Sequence, residues 1–391
     1  MISPASIVQS ALHKAEHFFG PANLPYVEEC ASAYGGLLGS LSRAHARAPN
    51  SSGVGKLQTK IMRSPHARLI ALIRTYDREN KLDLGGLSKV ASQLNLFEPC
   101  NEPVFAWKEL KSSGKGWRSL CMFGLRRRAA QIIVRDILDA KFGTDPLDEM
   151  RRGAGCDRSS DRIVMEMSVY SHWICVDLAN YYGSVGQEGV IDLLGLPKAV
   201  VTNYVFAPVE VVKPLSVSPH TLGSPLWSDE AVRLGLPQGS LVSPMIAGLL
   251  LGPTLRSIIA ADQVRFYGDD ILIGTSSLAE AKKVVLALND AFKAHPAGPF
   301  PLRRCDIMSN LSGFEFTKYK FRAAYGGQKI RRLIAPRSRL KFRRKLAGIG
   351  ASELTWPEKL KAAERYTRRW VASFPRAHRN KDADYHDFET Y

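Results

Sequence analysis

The sequence has no run of about eighteen apolar residues, the length a membrane helix needs, and no charged-then-apolar start of the secretory kind. Its six cysteines (Cys30, Cys100, Cys121, Cys156, Cys175 and Cys305) show no Cys-x-x-Cys spacing, which argues against a zinc site or a disulfide framework. The expectation is a soluble cytoplasmic protein with reduced thiols and no membrane partner. A phosphate loop is missing too. Gly53-Val54-Gly55-Lys56 comes near, but Asn50 stands where the first glycine belongs, and Leu57 where Ser or Thr must hold magnesium. The first hundred residues hold no nuclease-like cluster of acids and histidines, and the chain has no internal repeat. Acids are scarce: 37 Asp and Glu against 54 Lys and Arg leave a formal net charge of +17. That excess fits a polyanionic partner, most simply nucleic acid. It peaks at residues 301–350, where fourteen Lys or Arg face two acids.

What is present is a large apolar fraction, 45% of 391 residues, enough for one multi-lobed domain or two to three subdomains. Within it lies Phe266-Tyr267-Gly268-Asp269-Asp270, flanked by Val264-Arg265 and Ile271-Leu272-Ile273. Two short apolar runs meeting at two acids predict a β-hairpin with the acids in its turn. Adjacent carboxylates repel, so such a tip calls for a cation. In nucleotidyl transfer that cation is Mg²⁺, held by carboxylates and substrate phosphates.

Two further motifs stand upstream. Ile174-Cys175-Val176-Asp177-Leu178 reads as an apolar strand that delivers a carboxylate at its end, followed by the paired rings Tyr181-Tyr182. Alone, Asp177 reads as a strand-end cap; beside the hairpin it completes a set of three acids able to hold two Mg²⁺, with Mn²⁺ as an alternative. One ion would activate a primer 3′-hydroxyl and the other would stabilise the triphosphate and leaving pyrophosphate. Gly235-Leu236-Pro237-Gln238-Gly239 leads through Ser243-Pro244 into a helix. Its glycines let backbone approach a base pair or sugar, and Gln238 can hydrogen-bond to nucleotide or template.

In this order the three motifs resemble the palm of reverse transcriptases, the bacterial group II intron, retron and phage-defence or unknown-group enzymes being nearest in kind. The resemblance spans roughly residues 104–350. It implies an α+β right-hand fold of fingers, palm and thumb with an α-helical N-terminal extension, and RNA-templated DNA synthesis. It also implies Asp177, Asp269 and Asp270 as the catalytic acids, with Leu178 joining them as metal ligand, and Gln238-Gly239 as a nucleotide-facing turn. Lys111 and Trp117-Arg118 match the spacing of the fingers cations that clamp the incoming triphosphate, and Lys115 is a weaker candidate in the same turn; the plain alternative is a solvated basic loop. Leu311–Phe316 resembles a primer-grip hairpin. Arg337, Arg339, Lys341, Arg343, Arg344 and Lys345 then belong to a thumb whose cations track the duplex backbone.

Gly268 departs from the family, which usually has Ala, Val or Met there, and matches RNA-dependent RNA polymerases instead. Tyr182 argues for a DNA product, because its ring would collide with a ribose 2′-hydroxyl. The alternative is that Tyr182 packs in the core and Tyr181 faces the site. The implied partners are an RNA template and primer, an RNA–DNA hybrid, dNTPs and a dedicated non-coding RNA, with antiphage defence as the narrower expectation. Competing functions are an RNA-dependent RNA polymerase, untemplated or protein-primed DNA synthesis, and an inactive RNA-binding scaffold. The expected division is a helical extension over 1–100, fingers over 101–170, palm over 171–330 with a finger insertion around 185–230, and a basic helical thumb and tail over 331–391. Within the extension, a helical region over roughly 58–97 is expected to break near Gly85-Gly86.

Overall fold

The computed structural model describes residues 4–110, 117–151, 153–215, 235–324 and 330–377. The chain opens with helices. In α1 (Pro4–Phe19), Ile7, Ala11 and Ala15 fall on one face at helical spacing and are buried. Helix α2 (Leu24–Arg47) starts with Pro25 in its first turn, where a missing N–H costs nothing. Helices α3 (Ser52–Arg63) and α4 (Pro65–Thr75) follow; Ser64 caps α4 by accepting from the Ala67 N–H. The expected break at Gly85-Gly86 lies earlier, between Thr75 and α5 (Leu84–Gln93). Asp83 accepts from the Gly86 N–H at 2.7 Å, so the two glycines sit inside a capped first turn.

Strands β1 (Val104–Leu110) and β2 (Trp117–Phe123) form an antiparallel hairpin. The turn between them, with Lys111 and Lys115, lies outside the described residues. Helix α6 (Leu125–Phe142) is buried around most of its circumference, packed by α2 and α4, and is the post around which the N-terminal helices assemble. Helix α7 (Cys156–Glu166) leads to β3 (His172–Leu178), the short α8 (Tyr181–Ser184) and α9 (Gln187–Leu194). Strand β4 (Val212–Pro214) adds to β1 in parallel. The rest of the Pro-rich connection, 216–234, lies outside the described residues.

Helix α10 (Ser243–Arg256) precedes β5 (Val264–Tyr267) and β6 (Asp270–Thr275), then α11 (Leu278–Lys293) and β7 (Leu302–Ser309). These strands make one antiparallel sheet in the order β5-β6-β3-β7. A second sheet, order β10-β9-β8, is the meander β8 (Phe314–Phe316), β9 (Tyr319–Ala323) and β10 (Ile330–Ile334). The chain continues with α12 (Pro336–Gly350) and α13 (Trp356–Ala372), the latter opened by a Thr355–Glu358 capping box.

The architecture is α+β. One apolar cluster runs from Ile7 and Tyr34 through Ile133 and Ile174 to Phe266 and Phe300, so N-terminal helices and central sheet share it. A second, smaller cluster joins Trp173 beneath the sheet to Phe314, Phe321 and Phe374. None of the six cysteines is bridged, and no described helix is long and apolar enough to cross a membrane.

Candidate active site

Strand β3 is buried along nearly its whole length and is paired on both sides, which fixes the position of its last residues. Its register against β6 sets Asp177 directly opposite Asp270. The β5–β6 hairpin closes through Gly268 and Asp269, with Tyr267 paired to Asp270. Gly268 has φ +64°, a conformation in which a Cβ is strained. Its presence therefore has a local backbone reason. The three acids are thus collected by two strand pairings.

Their electrostatics are those of crowded anions. The Asp269 carboxyl is held above its ordinary range by burial first, then by the charges of Asp270 and Asp177, with Arg118 opposing. Asp270 is raised by burial, against the pull of Arg337 and Arg304. Among the described residues, two arginines touch the set. Arg303 donates through Nε, at 3.0 Å, and Nη2 to Asp177 Oδ2. Arg337 Nη2 lies 3.3 Å from Asp270 Oδ2. The side-chain donors are carboxylate oxygens, crowded and partly buried, which suits a hard divalent cation. The side chains of Asp177 and Asp270 are turned onto these arginines, and among the described residues no group of three or more His, Cys, Asp or Glu converges as a metal cage.

A cavity of about 620 Å³ opens above the acids. Leu178, Asn180, Tyr182, Gln238, Gly239, Asp269, Asp270 and Arg303 line it, with Trp117 and Arg118 from β2. Arg118 is exposed on the β1–β2 hairpin. Leu178 is buried at the end of β3. Tyr181 and Tyr182 separate cleanly. Tyr181 is buried, donates to the Ala247 carbonyl at 2.8 Å and meets Phe300 edge-on at 4.9 Å. Tyr182 lines the cavity, and its hydroxyl is held above the ordinary tyrosine range by burial and then by Asp269.

The Gln238 loop is stapled at both ends. The Leu236 N–H donates to the Tyr182 carbonyl at 2.7 Å, and the Cys121 N–H donates to the Gln238 carbonyl at 2.7 Å. A Cβ at Gly235 (φ +85°) would strike the Tyr182 carbonyl, and one at Gly239 (φ +110°) the Cys121 carbonyl. These glycines admit neighbouring backbone from α8 and β2, where the sequence suggested close approach to a base pair or sugar.

The cations at the start of α12 divide. Arg337 donates twice to the Thr317 carbonyl as well as reaching Asp270, and Arg339 Nε donates to the Ile334 carbonyl at 3.3 Å. Lys341, Arg343, Arg344 and Lys345 are exposed along the helix. Sequence reasoning missed Arg303 and Asn180. Arg303 was visible only as part of the basic stretch from 301 to 350, and Asn180 only as a turn residue; its φ of +47° starts α8.

Residues 110–298 match the family model of reverse transcriptase (RNA-dependent DNA polymerase), a span that runs from the β1–β2 hairpin through the three acids to just past α11. No curated protein matches the chain. That match supports RNA-directed DNA polymerase activity, a nucleotidyl transfer, for the segment it covers. A reverse transcriptase domain implies the right-hand polymerase fold and takes an RNA template, a primer and dNTPs.

Proposed function

We propose that the chain makes DNA on an RNA template by nucleotidyl transfer at Asp177, Asp269 and Asp270, these acids and Leu178 holding two Mg²⁺. The observation that carries this is the strand register that sets Asp177 against Asp270, with Asp269 at the adjoining turn. The metal, when bound, supplies a lowered pKa for the primer hydroxyl and charge neutralisation at the triphosphate. The protein supplies the rest. Arg118 takes the triphosphate by charge-assisted hydrogen bonds, and the family spacing assigns Lys111 and Lys115 to the same role. Gln238 and Gly239 form the floor on which nucleotide and template rest, held rigid by the bonds to Tyr182 and Cys121. Tyr182 puts its ring at the sugar and excludes a 2′-hydroxyl.

On this reading the fingers occupy 101–170, the palm 171–330 and the thumb 331–391, with 1–100 an extension. Arg339, Lys341, Arg343, Arg344 and Lys345 follow the duplex backbone, and Arg337 joins the thumb to the palm. The likeness of the three motifs to the bacterial branch carries the narrower reading, a dedicated structured RNA and a role in antiphage defence. Sequencing the RNA that co-purifies with the protein tests it.

Asp269→Asn with Asp270→Asn is expected to abolish DNA synthesis and leave the melting curve cooperative; retained synthesis removes the acids from the mechanism. Tyr182→Val is expected to admit rNTPs while keeping much of the dNTP activity. Single-nucleotide incorporation on an RNA template measures both, and wild-type preference for rNTPs would overturn the assignment of DNA as product.

A further inference from the structure

Arg303 owes its position to an irregularity. Strand β7 pairs Arg304 with Asp177 and Leu302 with Leu178, so Arg303 is an extra residue against the Asp177–Leu178 step. Such a bulge breaks the alternation of a strand and re-aims a side chain. Here it brings a guanidinium to the carboxylate that ends β3. Both Nε and Nη2 bond the same oxygen, Oδ2 of Asp177. The Arg303 side chain is 53% exposed and that of Asp177 12%, so the cation is free to turn away and the acid is not. The charge of Arg303 is felt by Asp269 and Asp270 as well as by Asp177. It also lines the cavity that Arg118 lines. Arg337 differs, because two bonds to the Thr317 carbonyl anchor it where it is.

We propose that Arg303 is a counterion that makes the acid cluster select a metal–nucleotide complex over the metal alone. This rests on the reading of Asp177, Asp269 and Asp270 as the metal acids. A bare divalent cation approaching Asp177 meets a positive charge already bonded there and must displace it or bind beside it. A metal–dNTP complex carries net negative charge and offers the displaced guanidinium a new acceptor. Arginine suits this exchange because its planar fork matches phosphate as well as carboxylate. Arg303 therefore opposes the first ligand and favours the second, and removing its charge moves the two affinities in opposite directions.

The experiment uses the full chain and Mn²⁺ as the probe, followed by electron paramagnetic resonance without nucleotide, alongside steady-state dNTP incorporation. Arg303→Gln is expected to bind Mn²⁺ about tenfold more tightly and to raise KM for dNTP about tenfold, the size of one charge-assisted hydrogen bond, with a smaller change in kcat. Arg303→Lys keeps the charge but not the fork. It is expected to restore the weak Mn²⁺ binding and to recover KM only in part. Unchanged or weaker Mn²⁺ binding in Arg303→Gln, with Arg303→Lys alike, would overturn the proposal and leave Arg303 as a support for the Asp177 rotamer. If Asp269→Asn with Asp270→Asn binds Mn²⁺ as wild type does, the metal reading itself fails, which is a different result from the first.

Discussion

Helices at the two ends of the chain are held in different ways. Helices α1 to α5 send Ile7, Tyr34, Ile61, Ile70 and Leu87 into the same apolar cluster that contains Ile174, Phe266 and Phe300 of the central sheet. Helices α12 and α13 bury none of their residues. They are joined by a stack of rings, Phe342 against Trp370 at 4.3 Å and against Tyr366 at 5.7 Å, and Trp370 passes the contact to the buried Phe374. Arg337 adds a polar tie to the hairpin carbonyl of Thr317. The N-terminal helices are thus part of the structural support of the site, whereas the C-terminal pair is held by ring contacts and by Arg337 and leaves Lys341, Arg343 and Lys345 exposed. Basic charge near the N-terminal core is built in; on α12 Arg337 and Arg339 are bonded to backbone carbonyls and the cations after them are exposed.

The sharpest way to break this contrast is to damage the N-terminal joint. Asp136 of α6 has a fully buried side chain that accepts from Tyr34 of α2 at 3.0 Å and pairs with Arg74 of α4. Asp136→Ala leaves the Arg74 guanidinium buried and uncompensated, at a cost of about 3–5 kcal/mol. The expected result is a large drop in the denaturation midpoint and loss of DNA synthesis together. Normal stability in this variant would mean that α2 and α4 are dispensable to the central sheet, and the comparison would fail.

The opposite behaviour is expected at the other end. Neutralising Arg343, Arg344 and Lys345 together to Gln should leave the melting temperature within a degree or so of wild type, since exposed helix charges contribute little. Affinity for an RNA–DNA duplex should fall. Each lost phosphate contact should flatten the plot of log K against log salt by about 0.7–0.9. An unchanged slope would assign these cations to solvent or to another partner.

How much of this was legible in the sequence follows from what is local. The hairpin acids, the strand ending at Asp177 and the helix opening at Ser243-Pro244 each depend on a few neighbouring residues, and the structure has those elements. Arg303 was hidden because its place depends on a bulge between β7 and β3, strands more than a hundred residues apart. The purpose of Gly239 was hidden likewise, since the atom it must clear is the carbonyl of Cys121 in β2. The separation of Tyr181 from Tyr182 needed the helix phase of a four-residue turn, which no periodicity reveals. An apolar stripe shows that a helix packs and not on what. For that reason the sharing of one core by residues 4–93 and the central sheet could not be read ahead.

The smallest effect expected lies at the seam where N-terminal helices meet the 145–151 segment and α10. A cavity of about 430 Å³ there is lined by Ser6, Arg74 and Arg135 on one side and by Asp148, Pro244 and Gly248 on the other. Asp148 Oδ1 accepts from the Met150 N–H at 2.8 Å. Burial nevertheless pushes its carboxyl up to about 6, with Asp145 and Glu149 adding to the rise and Arg151 opposing it. A carboxyl raised on folding holds its proton more tightly in the native state than in the unfolded chain. Stability therefore falls as pH rises from the unfolded value, near 4, to about 6, and stays lower above that. Asp148→Asn keeps an acceptor for Met150 and carries no charge. It is expected to be more stable than wild type at pH 7.5 by about 1–2 kcal/mol, allowing for partial solvent screening. The gain should shrink steadily towards pH 4.5. Urea unfolding of both proteins across that range measures it. A gain of the same size at every pH would show packing at work, and the seam would then carry no cost of buried charge to set against the exposed Lys341, Arg343 and Lys345 of α12.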